Sequence, residues 1–366
     1  MPTISKASKD FFGPSYSVFV GRIGYPRVSI GPLAAVEQAP NIDNPKSWFG
    51  MEYSDVIHLR MMLLRSKHSE NIHSSSRFVT ENQELALASS PTDVEINFKK
   101  NPVYRVSFSD VLQPMGASAS LLKMRLAGNP KIRKHVDRIV SDELKASQAS
   151  LMLYGRGEDV YRITTILSSG ALGMADRKKL VPTRWSITAT DDTIFKEMVK
   201  KVKDFPSVNE FAVYSSKYLD NHFEILLMPG QWEYENFEAW APGSFWSQNL
   251  KKTEILEEYE PYKGRTKYAE LEGGGYYAAR LGIIEGLFQL KRQARVVVFR
   301  EVHEGYVVPL GVWVVRETVR NAFKNRPEKF ETMGKALEHI GNKLRISVDE
   351  YAKNSRILKQ RRLWDF

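Results

Sequence analysis

The chain contains no cysteine in 366 residues. No disulfide, thiolate zinc site or cysteine nucleophile is therefore available, and the fold must be held by non-covalent interactions around a buried core. A hydrophobic content of 42% is enough for such a core, and the length suggests two domains or one large domain with an appendage. Lys and Arg outnumber Asp and Glu by 53 to 43, a net charge of +10. That excess favours polyanionic partners such as nucleic acid. The first residues, Met1 to Phe12, lack the basic-then-apolar order of a secretory signal. Apolar runs such as Val307 to Val315 fall far short of the ~20 residues that cross a bilayer. These features predict a cytoplasmic, nucleoid-associated protein without a membrane partner.

Local patterns predict a mixed architecture. Ser17 to Leu33 alternates apolar and polar positions between glycines and prolines, as short strands with tight turns do. Ser54 to Arg65 has apolar residues at spacings of three and four, and Leu121 to Ala149 is also helical in character. The latter carries Lys123, Arg125, Lys131, Arg133, Lys134, His135 and Arg138, a basic surface. A helix over Lys196 to Lys203 precedes strands at Glu210 to Ser215 and Phe223 to Met228. Trp232, Tyr234, Phe237, Trp240, Phe245 and Trp246 then form an aromatic cluster, either core or a platform for exposed bases.

A charged stretch rich in Glu, ending in Gly273-Gly-Gly275, places a soft boundary near residue 250, and the glycine run reads as a turn or a linker. Beyond it, Tyr277 to Leu290 keeps helical spacing, and Ala294 to Arg300 with Tyr306 to Arg316 reads as a hairpin turning at His303-Glu304-Gly305. Pro327 sits at a helix start, with Phe330, Met333, Leu337, Ile340 and Leu344 on one face. Ser347 and Glu350 have the spacing that caps a further helix. The resulting expectation is an α+β fold: a larger mixed domain over residues 1–250, a smaller helix and hairpin domain over 251–358, and an exposed peptide over 359–366.

That peptide, Gln360-Arg361-Arg362-Leu363-Trp364-Asp365-Phe366, resembles the PCNA-interacting peptide: Gln, two residues, an aliphatic, two residues, an aromatic. One short helical turn puts Leu363 and Phe366 on the same side, ready for an apolar pocket. Gln360 can both donate and accept hydrogen bonds. Buried anchors of this type contribute about 2 kcal/mol or more each. Asp365 stands where the motif has a second aromatic residue, and Trp364 beside it can add contact area.

The whole chain also resembles the archaeal Nre (novel repair) family. The residues that carry the likeness are Phe12-Gly-Pro-Ser15, Val18 to Pro26, Gly31-Pro-Leu33, Ser89 to Glu95, Val181 to Thr188, Asp191-Asp192, Tyr306 to Trp313 and the terminal peptide. The resemblance implies a clamp-binding DNA repair factor with a larger N-terminal and a smaller C-terminal family domain. Some members begin with a cysteine-rich zinc element, which this chain lacks.

Other groupings are weaker. Asp176-Arg177-Lys178-Lys179 with Val181 to Asp192 gathers cations, an aromatic, hydroxyls and carboxylates. It reads either as a strand followed by a capping Asp or as a phosphate grip made by Arg177, Lys178, Lys179, Arg184 and Ser186. In the second case an enzyme pocket near Arg184, Ser186 and Asp192 is the rival to a DNA-binding module. His68 and His73 with Glu70 have a spacing that could bind a metal, but no further ligand is near in their polar, loop-like stretch. Gly155-Arg-Gly157 reads as a turn. Glu233, Glu235, Glu238 and Glu301, beside Arg300 and Arg316, suit surface or ion-pair roles more than acid-base work. No catalytic residue, cofactor or metal is assigned; the partners expected are the PCNA clamp and DNA.

Overall fold

The computed structural model describes residues 8–103, 116–241 and 254–359, and the architecture is α+β. Two compact units divide the chain, Met1–Ile194 and Phe195–Phe366.

In the first unit, five strands close into a barrel: β1 (Asp10–Val20), β2 (Arg27–Ala35), β3 (Leu63–Asn71), β4 (Thr92–Phe98) and β5 (Ser118–Leu126). Their order is β1-β2-β3-β5-β4, and β1 returns to β4 from Asp10↔Asn97 to Ser15↔Thr92. Only β3 and β5 run parallel, with Arg65 opposite Ser118; the other neighbours are antiparallel. Closure gives each strand two neighbours along part of its length. Inward positions alternate along each strand, so Val18, Val20, Val28, Ile30, Leu64, Val94, Ile96 and Leu121 fill the interior. A helix between β3 and β4, α2 (Arg77–Leu87), adds Val79, Leu85 and Ala86 to that core. Its first turn is capped by Ser76, whose hydroxyl accepts from the Val79 amide. This strand order, with a parallel β3/β5 contact and a helix before β4, is the connectivity of an OB barrel.

The excursion between β2 and β3 carries α1 (Tyr53–Met61). After the barrel come α3 (Lys134–Ser141), α4 (Ala146–Gly155) and α5 (Val160–Ser168). Buried Glu158 joins this region by accepting from Arg133 at 2.9 Å and His135 at 2.8 Å and pairing with Arg162 at 2.9 Å. Helix α6 (Thr183–Lys203) then runs across the division between the units.

In the second unit a six-stranded sheet has the order β11-β6-β7-β10-β8-β9. Its strands are β6 (Phe211–Tyr218), β7 (Asn221–Met228), β8 (Glu233–Trp240), β9 (Glu254–Glu260), β10 (Arg295–Val302) and β11 (Glu328–Phe330). Central β10 is buried along its whole length, as a strand covered on both faces must be. It runs parallel to β8, from Arg295↔Glu233 to Val302↔Trp240. Helices α9 (Met333–Gly341) and α10 (Val348–Asn354) cover one face, where Ala336, Ile340 and Tyr351 meet Phe211, Val213, Phe237, Val297 and Phe299. The alternate strand positions face α7 (Gly274–Leu290) and α8 (Trp313–Ala322), as the Tyr214–Phe323 ring contact shows.

Glycine sets the approach of α7 to α8. A Cβ on Gly282 would lie 2.8 Å from Val319, and one on Gly286 2.5 Å from the Phe323 ring. Equal four-residue steps along both helices mean that they run parallel.

Several expectations need correction. Leu121 to Leu126 is not helix but β5, because barrel pairing with β4 outweighs local propensity. The polar stretch from Ser66 is not a loop but continues β3 to Asn71, since a barrel strand needs only one apolar face. Val181 to Asp192 contains no strand: Pro182 accepts from the Trp185 and Ser186 amides and opens α6, although Thr183, Ile187, Thr188 and Thr190 are β-branched. Tyr306 to Arg316 is not the return strand of a hairpin. Val314 and Val315 pack in a buried helix, α8, whose apolar run is indistinguishable from a core strand by periodicity. Pro327 precedes the short edge strand β11, and Thr332 caps α9 instead. Of the two readings of Gly273-Gly-Gly275, the structure has the turn: Gly273 ends a turn and opens α7. The compositional break near residue 250 falls between β8 and β9, paired neighbours with Trp240 opposite Glu254.

Candidate functional site

The cations read as a phosphate grip lie before and within the first turn of α6. Arg177, Lys179 and Arg184 are exposed; Arg177 is 3.8 Å from Asp176, and the Lys178 ammonium donates to the Val140 carbonyl at 3.3 Å. Ser186 is fully buried, its hydroxyl 3.4 Å from the Val181 carbonyl. Successive helical residues are turned by about 100°, so Arg184 and Ser186 point to different sides. The structure thus brings no pocket together from Arg184, Ser186 and Asp192. Trp185, beside Arg184, is 45% exposed and packs on Tyr25 with ring centroids 5.1 Å apart.

Among the basic residues expected on one helical surface, Lys123 and Arg125 lie on β5 and Arg133 and His135 on the Glu158 cluster. His68 stands 3.7 Å from Glu70, and among the described residues no three potential ligands come together around a metal position.

The peptide Gln360 to Phe366 lies outside the described residues. What precedes it is firmly built into the second unit. Ser355 donates its hydroxyl to the buried Glu235 carboxylate, which also accepts from the Arg356 amide at 2.6 Å. Buried Arg295 donates to the Ile357 carbonyl at 3.0 Å and to Glu233 at 3.2 Å. Ile357 and Leu358 complete the α9/α10 core. Burial and then the charge of Glu235 push the neighbouring Glu257 carboxyl up to about 7, and burial raises Glu235 as well. The two acids therefore favour sharing a proton beneath the chain's exit.

A second polar cluster lies on the α7 face, at the C-terminal ends of parallel β8 and β10. Arg300 pairs with Glu238 and donates to the Asn221 side-chain Oδ1 at 2.7 and 3.1 Å. Trp240 donates its indole N–H to Glu238 at 2.7 Å. A Cβ on Gly275, in the first turn of α7, would sit 3.2 Å from Glu238. Asn236 donates to Glu272, whose carboxyl is raised well above the usual range, first by burial and then by Glu238. On the other face, Glu301 accepts from the Arg345 and Ile346 amides and the Tyr351 hydroxyl at 2.9 to 3.0 Å. The carboxylates singled out in the sequence are thus ion-paired or hydrogen-bonded, but Glu235, Glu238 and Glu301 are interior rather than surface groups. Asn221, Asn236 and Glu272 carried no sequence signal of this role, because neutral or lone polar residues in a strand or turn look solvent-facing. The aromatic cluster is core where described: Trp232, Tyr234 and Phe237 are fully buried.

A closed barrel and a helix-covered mixed sheet define a two-unit α+β protein. Residues 2–247 match the family model described as Archaeal Nre, N-terminal, and residues 260–366 that described as Archaeal Nre, C-terminal. The chain belongs to the archaeal Nre family. It is 37% identical over all of its length to DNA repair protein NreB of Archaeoglobus fulgidus, of which 94% is covered. It is 38% identical to DNA repair protein NreA of Haloferax volcanii, over 94% of this chain and 85% of that protein. With DNA repair protein NreA of Archaeoglobus fulgidus the figures are 39%, 88% and 82%. No solved structure matches the chain.

Proposed function

We propose that the protein is a DNA repair factor that docks on the PCNA sliding clamp through Gln360 to Phe366 while its body engages DNA. Relatives covering nearly the whole chain are named DNA repair proteins, and the net charge of +10 suits a polyanionic partner. The observation that carries the docking reading is the pinned exit: Ser355 to Leu358 is fastened to Glu235, Arg295 and the core, and the motif begins two residues later. The described chain is thus held in the second unit up to Leu358, close to the start of the motif. Arg361 and Arg362 speed encounter with an acidic rim, and Leu363 and Phe366 supply the anchors. Such a factor works in the cytoplasm, at the nucleoid, and in the absence of a membrane partner; no helix among the described residues is long and apolar enough to cross a bilayer. The catalytic alternative at Arg184, Ser186 and Asp192 gains no support from a buried Ser186.

The test is capture of the full chain by immobilised clamp from the same organism. Replacing Leu363 and Phe366 together with Ala, or deleting Arg361 to Phe366, abolishes capture if the reading holds. Unchanged capture overturns it.

A further inference from the structure

We infer that the outer face of the first-unit barrel, around the β1–β2 loop and the start of α6, is a binding surface for single-stranded DNA. The inference rests on the DNA-engaging part of the proposal above and names its ligand. Its basis is the placement of aromatic rings and cations on one side of the closed barrel.

Val18 and Val20 point into the barrel core, as does Leu64. Strand alternation therefore puts Phe19 and Arg65 on the outside, where the Arg65 guanidinium lies 3.8 Å over the Phe19 ring. Burial, and then the charge of Arg60, lowers Arg65 only to about 10, so it remains a cation at neutral pH. At the end of β1, the Val20 amide donates to the Thr183 hydroxyl at 3.0 Å. That bond fixes the start of α6 beside the barrel and brings Trp185 onto Tyr25 of the β1–β2 loop. Tyr25 and Trp185 remain 44% and 45% exposed, and Ile23 between the flanking arginines is 89% exposed. Arg22, Arg27 and Arg184 are exposed around these rings.

Large apolar side chains left in water cost free energy unless something covers them. Here the available cover must also match a ring of positive charge. An unpaired nucleic acid strand does both: bases stack on Tyr25 and Trp185, and phosphates meet the arginines. A duplex offers the same phosphates but keeps its base faces stacked internally, so half of the surface would stay unused. The loop joining the first two strands and the β2–β3 side are also where barrels of this connectivity take oligonucleotides.

Fluorescence anisotropy of the full chain with a labelled 20-residue oligothymidine, the matching duplex and an oligouridine of equal length tests the assignment. Single-stranded DNA binds at least several-fold more tightly than duplex, and log affinity falls with log salt concentration. Each of Tyr25→Ala and Trp185→Ala weakens binding roughly ten-fold, and Arg27→Ala together with Arg184→Ala lessens the salt slope. Circular dichroism confirms that these surface variants remain folded. Tighter duplex binding, ring variants within two-fold of the wild type, or a preference of ten-fold or more for the RNA strand overturns the inference. Clamp capture is measured on the same variants: loss of strand binding with capture intact removes only this inference, and loss of capture with strand binding intact removes only the docking reading.

Discussion

Ser355 and Glu235 are separated by 120 residues and joined by one hydrogen bond, the serine hydroxyl donating to a carboxylate at the middle of β8. The bond fastens the end of α10 to the sheet. Replacing Ser355 with Ala leaves a buried carboxylate short of a donor and removes the hydroxyl that also accepts from the Leu358 amide at 2.8 Å. The expected loss is ~1–3 kcal/mol in chemical denaturation. Faster proteolytic trimming at the C-terminal end accompanies it; a variant as stable as the parent contradicts the anchoring role.

Glu257 makes stability depend on pH. Its folded carboxyl titrates at about 7, against 4.5 for the free group. Between those values the folded chain holds a proton that the unfolded chain has released, so stability is fullest below ~4.5 and declines as pH rises through 7. Glu257→Gln keeps a neutral side chain throughout. Melting temperatures measured from pH 5 to pH 8 show the variant drawing ahead of the wild type as pH increases. A constant difference across that range rules out the shared proton.

Arg300 is held by Glu238 and Asn221 away from water. Removing one member of such a pair strands the other, so Arg300→Met costs about 3–5 kcal/mol. The double replacement Arg300→Met with Glu238→Met recovers much of that loss, because neither charge is then left unpaired. Thermal denaturation of the two variants distinguishes a structural pair from one whose repair is impossible.

Gly286 lies where α7 meets the Phe323 ring. Alanine is the better helix former by about 1 kcal/mol, yet its methyl would overlap the ring. Gly286→Ala therefore lowers stability, by ~1–3 kcal/mol of overpacking. Combining it with Phe323→Leu relieves part of the loss; a stabilised single variant shows that the helices can separate without penalty.

The sequence carried the parts of the fold whose signal is local. Strand alternation around Val18 to Ile30 and the apolar runs of β6, β7 and β10 were readable, as was the three-and-four spacing of α7. What was hidden depends on partners far along the chain. Leu121 and Met124 have a spacing that suits a helix, and only pairing with Ile96 and its neighbours makes them strand. The valines of α8 read as strand because a buried helix shows no polar face. At the candidate sites, Arg184 was recognisable as an exposed cation, whereas the burial of Ser186 follows from the turn that Pro182 begins. The meeting of Tyr25 with Trp185 required both β1 and α6 to be placed. The Glu residues of β8 were visible as ion-pair candidates, but their depth was not, since charge in a strand ordinarily marks its wet face.

Leu358, the last buried side chain among the described residues, also sets a tether length. From its Cα to that of Gln360 there are two peptide steps, at most about 7 Å of backbone. A ring that accepts Gln360 would hold the second unit against its rim on a very short leash. Such a protein would share the clamp's position on DNA without sweeping a wide volume around it, and neighbouring clamp subunits would be shadowed by its bulk.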